Sequence, residues 1–300
     1  MSARPARLAV GVVSAGRVGA VVGAAWAAAG HRVVATSGVS KASVDRAAAL
    51  LPGVPLLAPD TVVAGADLAL LAVPDDVLPG LVRGLAAAGS FRAGQIVVHT
   101  SGAHGVGVLA PAVEHGVLPL ALHPVMTFTG RQEDVARLAG CSVGVTAAED
   151  DETGVDVGFN VGAALVVEMG AEPVRVAEAV RPLYHAALAH GANHLVTLVR
   201  DCVETLERAG IRPAERLVAP LLSAALDNAL RHGDRALTGP VARGDVGTVR
   251  KHLAELTAAD PDLAETYRVL AGRTARRAAA AGLLPDHAVD DVLSTLREGP

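Results

Sequence analysis

The stretch Leu8–Gly38, LAVGVVSAGRVGAVVGAAWAAAGHRVVATSG, decides how the rest of the chain is read. Leu8–Val13 is a short Val-rich apolar run, Gly16 and Gly19 bracket a turn, and Arg17–Ala29 has helical spacing closed by Gly30, a residue suited to a helix C-terminus. His31–Thr36 is a second β-branched run. Strand, glycine turn, helix and strand make a βαβ unit. Such a unit sets a pyrophosphate on a helix N-terminus, where free N–H groups and the helix dipole favour an anion. Read as G-x-G-x-x-G, the motif is Ser14-Ala15-Gly16-Arg17-Val18-Gly19, with serine in place of the first glycine. The second glycine, which admits the phosphates, and the third, which lets helix pack on strand, are both present. A structural βα turn in another doubly wound fold is the competing reading.

The end of the second strand selects between dinucleotides. An Asp or Glu there holds the ribose 2′-hydroxyl of NAD. This strand ends Ala35-Thr36-Ser37-Gly38-Val39-Ser40-Lys41, without an acid, so NADP is expected, held by Ser37, Ser40, Lys41 and Arg17. Ser37 and Ser40 also suit the start of the next helix, KASVDRAAALL.

Repeated alternation of strand and helix follows. Val54–Leu57, Asp67–Val73, Gln95–Thr100, Val117–Leu122, Cys141–Thr146 and Glu172–Val176 read as strands, which predicts a parallel sheet with helices on both faces. The run DLALLAV is continuously apolar, as a central parallel strand should be. It ends at Pro74-Asp75-Asp76, so Val73 and Pro74 are expected beside the cofactor, with Asp75 and Asp76 as N-caps of the helix VLPGLVRGLAAAG. Thr100-Ser101-Gly102 and His123-Pro124 close two more strands on the same ligand-binding rim.

Strand signals vanish after about Pro173. Arg175–Gly210 is almost entirely helix-forming, and four further helices follow over Pro213–His232, Asp245–Ala258, Asp262–Ala281 and Asp286–Arg297. On the long helix His190, Asn193 and Thr197 share one face, a polar stripe that needs a substrate or hydrogen-bonding neighbours. His190 and His194 have the spacing of a helical metal pair, but no Glu lies between them and no third ligand is in view, so no metal is expected. In LTGPVARGD, Gly239-Pro240 reads as a helix break and Gly244-Asp245 as a cap. That leaves Thr238 and Arg243 free to hold a carboxylate.

Bulk properties narrow the classes. The 300 residues can bury a large core, 51% of them are hydrophobic, the net charge is −5 and the mean hydropathy is +0.40. No basic stripe is present, which argues against a nucleic-acid partner. Cys141 and Cys202 form no motif, and a reducing cytoplasm is expected. Arg4 and Arg7 before an apolar run imitate a signal peptide, but Arg17 interrupts it and the βαβ unit accounts for the segment. No uninterrupted apolar run reaches the ~18 residues of a membrane span.

GVVSAGRVG, LLAVPDD, VVHTSGAHG, LALHPVMTF, LYHAALAHGANHLVTL and LTGPVARGD, in this order along nearly the whole chain, carry a resemblance. The chain resembles a family of Rossmann-like oxidoreductases, of uncharacterised substrate, whose helical C-terminal domain is similar to that of 6-phosphogluconate dehydrogenase. Pyrroline-5-carboxylate reductases, ketopantoate reductases and β-hydroxyacid dehydrogenases are more distantly similar. The resemblance implies an NADP-binding doubly wound α/β domain over 1–176 and an all-helical substrate and dimerisation domain over 177–300. It also implies NADPH-dependent reduction of a small carbonyl or imine compound, in a homodimer joined through the helical domains. Asn193 matches the asparagine of the β-hydroxyacid dehydrogenases, but their lysine four residues earlier is Ala189 here, and neither Lys41 nor Lys251 is placed to replace it. His190 is then the expected proton donor, with Asn193, Ser101 and His123 orienting a substrate that Gly102, Thr197, Thr238 and Arg243 also touch. A 2-oxo acid is the expected substrate. A cyclic imine, or binding of the cofactor as a redox sensor without turnover, are the alternatives.

Overall fold

The computed structural model describes residues 7–148 and 156–298; Arg4, weighed above in a possible leader, lies outside them. The chain divides into two compact units between His190 and Gly191. The first unit opens with β1 (Ala9–Val13), α1 (Arg17–Ala28), β2 (Arg32–Thr36), α2 (Lys41–Leu50) and α3 (Pro59–Ala64). It continues with β3 (Leu68–Leu71), α4 (Leu78–Ala87), β4 (Ile96–His99), α5 (Ala110–Val113), β5 (Leu118–Pro124) and α6 (Gln132–Leu138). It closes with β6 (Ser142–Ala147), α7 (Val157–Glu168), β7 (Glu172–Arg175) and the head of α8 (Arg181–Arg208).

These strands form one sheet in the order β2-β1-β3-β4-β5-β6-β7. Every residue of β3 is buried, because its alternate side chains feed two cores. Leu68 and Leu70 join Trp26, Leu120 and Leu165 on one face; Ala69 and Leu71 join Val62, Val97 and Leu109 on the other. The Trp26 indole donates to the Leu165 carbonyl at 3.0 Å, fixing α1 to α7.

Register sets up the ligand-binding edge. Val13 pairs with Leu71, Leu71 with His99 and His99 with Ala121, all in parallel, so the carboxyl ends of β1, β3, β4 and β5 finish in one row. From β1 the chain moves outward to β2 and then returns to β3 on β1's other side. The crevice of an open α/β sheet lies at such a reversal.

Three expectations are corrected. The sheet is not wholly parallel, since β5 and β6 run antiparallel. Val54–Leu57 is not a strand: it makes a single bridge, Thr36 to Leu56, because Pro55 has no N–H with which to extend a ladder. Neither Asp75 nor Asp76 caps α4. Its N-cap is Val77, without a side-chain bond, because the Pro74 carbonyl takes the Val77 and Leu78 amides and Pro79 offers none.

The second unit continues α8 and adds α9 (Ala214–His232), α10 (Gly239–Ala242), α11 (Val246–Ala259), α12 (Pro261–Ala280) and α13 (Asp286–Glu298). Val249, Leu253, Ala275, Val292 and Leu296 make its main core, and Val203, Ala214 and Val218 a smaller one. Asp245 caps α11 as expected, accepting the Thr248 amide at 3.0 Å. Gly239-Pro240, expected only as a break, opens the short helix α10. No described helix is long and apolar enough to cross a membrane.

The β1–α1 junction is the tightest point of the first unit. A Cβ on Gly19 would stand 2.2 Å from the Ser14 carbonyl oxygen and 2.9 Å from Ala72 Cβ, whereas one on Gly16 would meet nothing nearer than 3.4 Å. Gly19→Ala is therefore expected to destabilise the protein by about 1–3 kcal/mol, read as a fall in Tm, while Gly16→Ala folds with Tm nearly unchanged. Equal melting of the two variants would remove this account of the junction.

Candidate active site

Ser14 is the one described non-glycine residue with positive φ, +75°. It holds the left-handed turn that a glycine usually supplies. Bonds to β2 hold it there: the Ser14 amide donates to Ser37 Oγ at 2.9 Å and the Ala15 amide to the Ser37 carbonyl at 2.7 Å. The turn delivers Gly16 as the N-cap of α1, with no side-chain cap and no acid in the first turn, so the helix's leading amides are left to an anion.

A cleft of about 430 Å³ lies along this edge. Ser14, Gly16, Arg17 and Val18 line it from the β1 turn, Val73, Pro74 and Asp75 from β3, Thr100, Ser101 and Gly102 from β4, and His123 from β5. The structure thus brings together ten of the sequence-predicted residues. Ala15 and Gly19 are buried within the same turn.

The β4 loop is held from all sides. His99 is buried; its Nε2 donates to the Gly105 carbonyl at 3.0 Å and its Nδ1 accepts the Ser101 amide at 3.2 Å. Ser101 Oγ accepts the His104 amide at 3.0 Å, and the Glu178 carboxylate takes the Val106 and Gly107 amides at 2.8 and 3.1 Å. Arg181, the first residue of α8, is fully buried, donating from Nη2 to the Ser101 carbonyl at 2.6 Å and from Nη1 to Thr146 Oγ1 at 2.7 Å. No described carboxylate pairs with it, and its Nε has no partner.

His123 is the chemical centre of the cleft. Its Nδ1 lies 2.8 Å from the Tyr184 hydroxyl, and its ring stands edge-on to those of Tyr184 and His185. Two glycines make room for this arrangement. A Cβ on Gly102 would lie 2.8 Å from His123 Nε2 and 2.5 Å from His185 Cδ2, and one on Gly144, opposite His123 on β6, would lie 2.7 Å from the Tyr184 oxygen. Burial pushes His123 down to about 4, and the Arg181 and His185 charges push it the same way. Burial likewise raises the Tyr184 phenol above its ordinary range. Near neutral pH the pair is therefore an uncharged imidazole and an uncharged phenol sharing one proton path. Such a pair can hold a polar substrate atom at Nε2 and pass it a proton.

Other predicted residues have different surroundings. Ser37 is buried beneath Ser14, Ser40 Oγ caps α2 by accepting the Ser43 amide, and Lys41 pairs with Asp45 at 2.6 Å. His190 is exposed on α8. In the second unit Asn193, Thr197 and Arg243 are exposed, and Thr197 Oγ1 bonds back to the Asn193 carbonyl at 3.5 Å. Thr238 lines a mostly apolar cavity of about 520 Å³ with Leu198, Cys202, Leu256 and Tyr267. Sequence reasoning missed Asp75 as a lining residue, and Arg181, Tyr184 and His185 altogether. Tyr184-His185 was legible as two polar aromatics heading a helix that is otherwise Ala- and Leu-rich; Arg181 gave no signal beyond an Arg-Pro at a helix start.

His99, pushed by burial to about 4, and His123 share a consequence for stability. In the unfolded chain both take a proton near 6.5, so from pH 6.5 down to 4 the unfolded state binds more protons and stability falls with pH. Urea midpoints are expected to drop across this window, and to drop less in His123→Asn. A flat profile, or one unchanged by the substitution, would contradict the buried neutral imidazole.

Comparisons with known proteins agree with this architecture. Residues 1–124 match the model of a Rossmann-like domain and residues 145–274 that of a domain of unknown function, DUF2520. No curated protein sequence matches the chain significantly. Among solved structures, a candidate NADP oxidoreductase from Bacteroides fragilis is 19% identical with a TM-score of 0.73, over 90% of this chain and 98% of that one. An imine reductase from Myxococcus stipitatus in complex with NADP+ is 18% identical with a TM-score of 0.63, over 96% and 99%. A pyrroline-5-carboxylate reductase from Coxiella burnetii is 14% identical with a TM-score of 0.56, over 93% and 99%. These likenesses are of fold. The chain therefore joins an N-terminal Rossmann-like domain to a C-terminal domain of the DUF2520 family.

Proposed function

We propose that the protein is an NADPH-dependent oxidoreductase that reduces a small, carboxylate-bearing carbonyl compound of the 2-oxo acid type. The observation that carries this reading is the cleft itself. An uncapped helix N-terminus and a glycine turn for a pyrophosphate stand on the same 430 Å³ rim as a half-buried, neutral His123–Tyr184 pair. A dinucleotide fits the chain's own groups, because the unshielded face of Gly16 admits phosphate and Gly102 leaves the floor under the two imidazoles open. The fold is also that of a protein solved with NADP+ bound.

When bound, the reduced nicotinamide supplies a hydride. The protein's part is orientation and the proton. With Nε2 protonated, His123 holds the substrate oxygen; as that oxygen takes the Nε2 proton, the Tyr184 hydroxyl replaces it at Nδ1, and the proton balance is restored from solvent. The relay stands in for the missing lysine. Arg181, a buried cation with no described ion-pair partner within contact distance, sets a field that favours an anionic substrate and disfavours a protonated one, a field that Glu178 and Asp75 offset in part. The Asp75 carboxylate in the cleft supports the second reading, a cyclic imine that arrives protonated.

Titration with NADPH followed by NADPH oxidation over a panel of 2-oxo acids and cyclic imines tests the reading. Turnover is expected, with kcat reduced about 10²-fold or more in His123→Asn and NADPH affinity retained; Tyr184→Phe is expected to fall in the same direction. A larger loss in His190→Ala than in His123→Asn would return the proton to the long helix. Tight NADPH binding with no turnover would favour a redox sensor.

We further propose that the protein works as a homodimer through its helical domain. Helix α9 buries Ala214 and Val218 but exposes Leu217, Leu221, Leu226 and Leu230 on more than one face, with Leu221 67% and Leu230 80% accessible, and leucines left in water in this number call for a partner. Light scattering should give twice the 30.2 kDa chain mass, and Leu221→Glu with Leu230→Glu should halve it. A monomeric native protein would end this proposal.

A further inference from the structure

The residues that sequence assigns to the 2′-phosphate are engaged elsewhere. The Ser37 hydroxyl receives the Ser14 amide, the Ser40 hydroxyl is taken into the α2 cap, and the Lys41 ammonium lies against Asp45. Yet the segment Thr36–Lys41 holds no carboxylate that would keep a ribose diol.

One cation beside this edge is unspent. Arg46, on the second turn of α2, is half-buried and donates from Nη1 to the Ala15 carbonyl at 3.1 Å. The Ala15 amide in turn donates to the Ser37 carbonyl at 2.7 Å. Arg46 is thus joined through a single residue to the end of β2, where the adenosine ribose of a dinucleotide falls in this fold. A guanidinium has five N–H donors, and no other hydrogen bond or ion pair engages Arg46 among the described residues. Its head is also fixed in place. A Cβ on Gly130 would lie 2.4 Å from Arg46 Nε, 2.9 Å from its Cδ and 3.2 Å from Arg17 Cα, so the guanidinium occupies a seat that only glycine leaves open. Gly130, at φ +78°, is itself held by the hydrogen bond its amide donates to Asp134 Oδ2 at 2.7 Å. Arg17, next to the same seat, is exposed, lines the cleft and has no acidic partner among the described residues.

We infer that Arg46, with Arg17, recognises the 2′-phosphate of the dinucleotide and so sets the preference for NADPH over NADH. The inference rests on the reading of the cleft as a dinucleotide site. A phosphate dianion takes two parallel N–H bonds from a guanidinium, whereas the diol of NADH, with one or no acceptor presented in that geometry, gains little. Partial burial strengthens the discrimination, since the Arg46 charge is less screened than that of a surface lysine.

Competition titrations on the full chain, with adenosine 2′,5′-bisphosphate and AMP as probes and NADPH and NADH alongside, test it without turnover. The native protein should bind the bisphosphate about tenfold or more tighter than AMP, and Arg46→Gln and Arg17→Gln should each remove about tenfold of that preference. NADH affinity should hold within about twofold. Arg46→Lys, which keeps the charge without the fork, should fall between. Gly130→Ala, which displaces Arg46 without deleting it, should reproduce the loss. Equal losses for NADPH and NADH in Arg46→Gln would make Arg46 a brace for the Ala15 carbonyl and overturn the inference. So would a native protein that binds both nucleotides equally, which leaves the dinucleotide reading standing. A native protein that binds neither nucleotide overturns both.

Discussion

Between the Ser14 carbonyl and Gly19 there is no room for a methyl group, and this contact governs the first unit. It brings the first turn of α1 down onto β1 and Ala72, so the helix starts at the sheet edge rather than above it. The price is a serine in a left-handed conformation, which costs about 1–2 kcal/mol and persists because two bonds from the end of β2 fix the turn. The anion site, the row of strand ends and the cleft between β1 and β3 all follow from where this turn leaves the helix N-terminus.

The second constraint is electrostatic. Arg181 brings a positive charge into the protein beside His99 and His123; no described carboxylate forms an ion pair with it, although Glu178 and Asp75 lie near enough to favour it. Hydrogen bonds to the Ser101 carbonyl and to Thr146 satisfy its Nη atoms while leaving the charge in place. Both imidazoles are kept neutral by burial first and by that charge second. The cleft is therefore edged by uncharged imidazoles near neutral pH.

The βαβ unit, most strands and the helical character of the second half were legible because each rests on short-range regularities: apolar runs, helical spacing, glycine placement. Val54–Leu57 looked the same as a strand, but Pro55 withholds the donor that a ladder needs. The direction of β6 was not legible, since an apolar run of six residues is the same whichever way it is laid. In the site, Gly16, Arg17, Pro74, Ser101 and His123 could be found because strand ends mark the rim. Tyr184 was legible only as a polar aromatic at a helix start, and Arg181 and Arg46 could not be found, because each reaches its place through contacts with residues far along the chain. Ser37 shows the opposite failure: a polar side chain at a selective position that folding turns inward.

The antiparallel pairing of β5 with β6 places Gly144 directly across from His123, and the Tyr184 hydroxyl occupies the gap that glycine leaves. The flanking residues on β6 are Val143 and Val145. A one-residue slip would put a valine in that gap and turn Val143 and Val145 out of the core they fill. The place of the Tyr184 hydroxyl beside His123 thereby depends on strand registry: the slip that empties the core also closes that gap. Gly144 is where packing and the cleft are coupled, since one strand alignment fixes both.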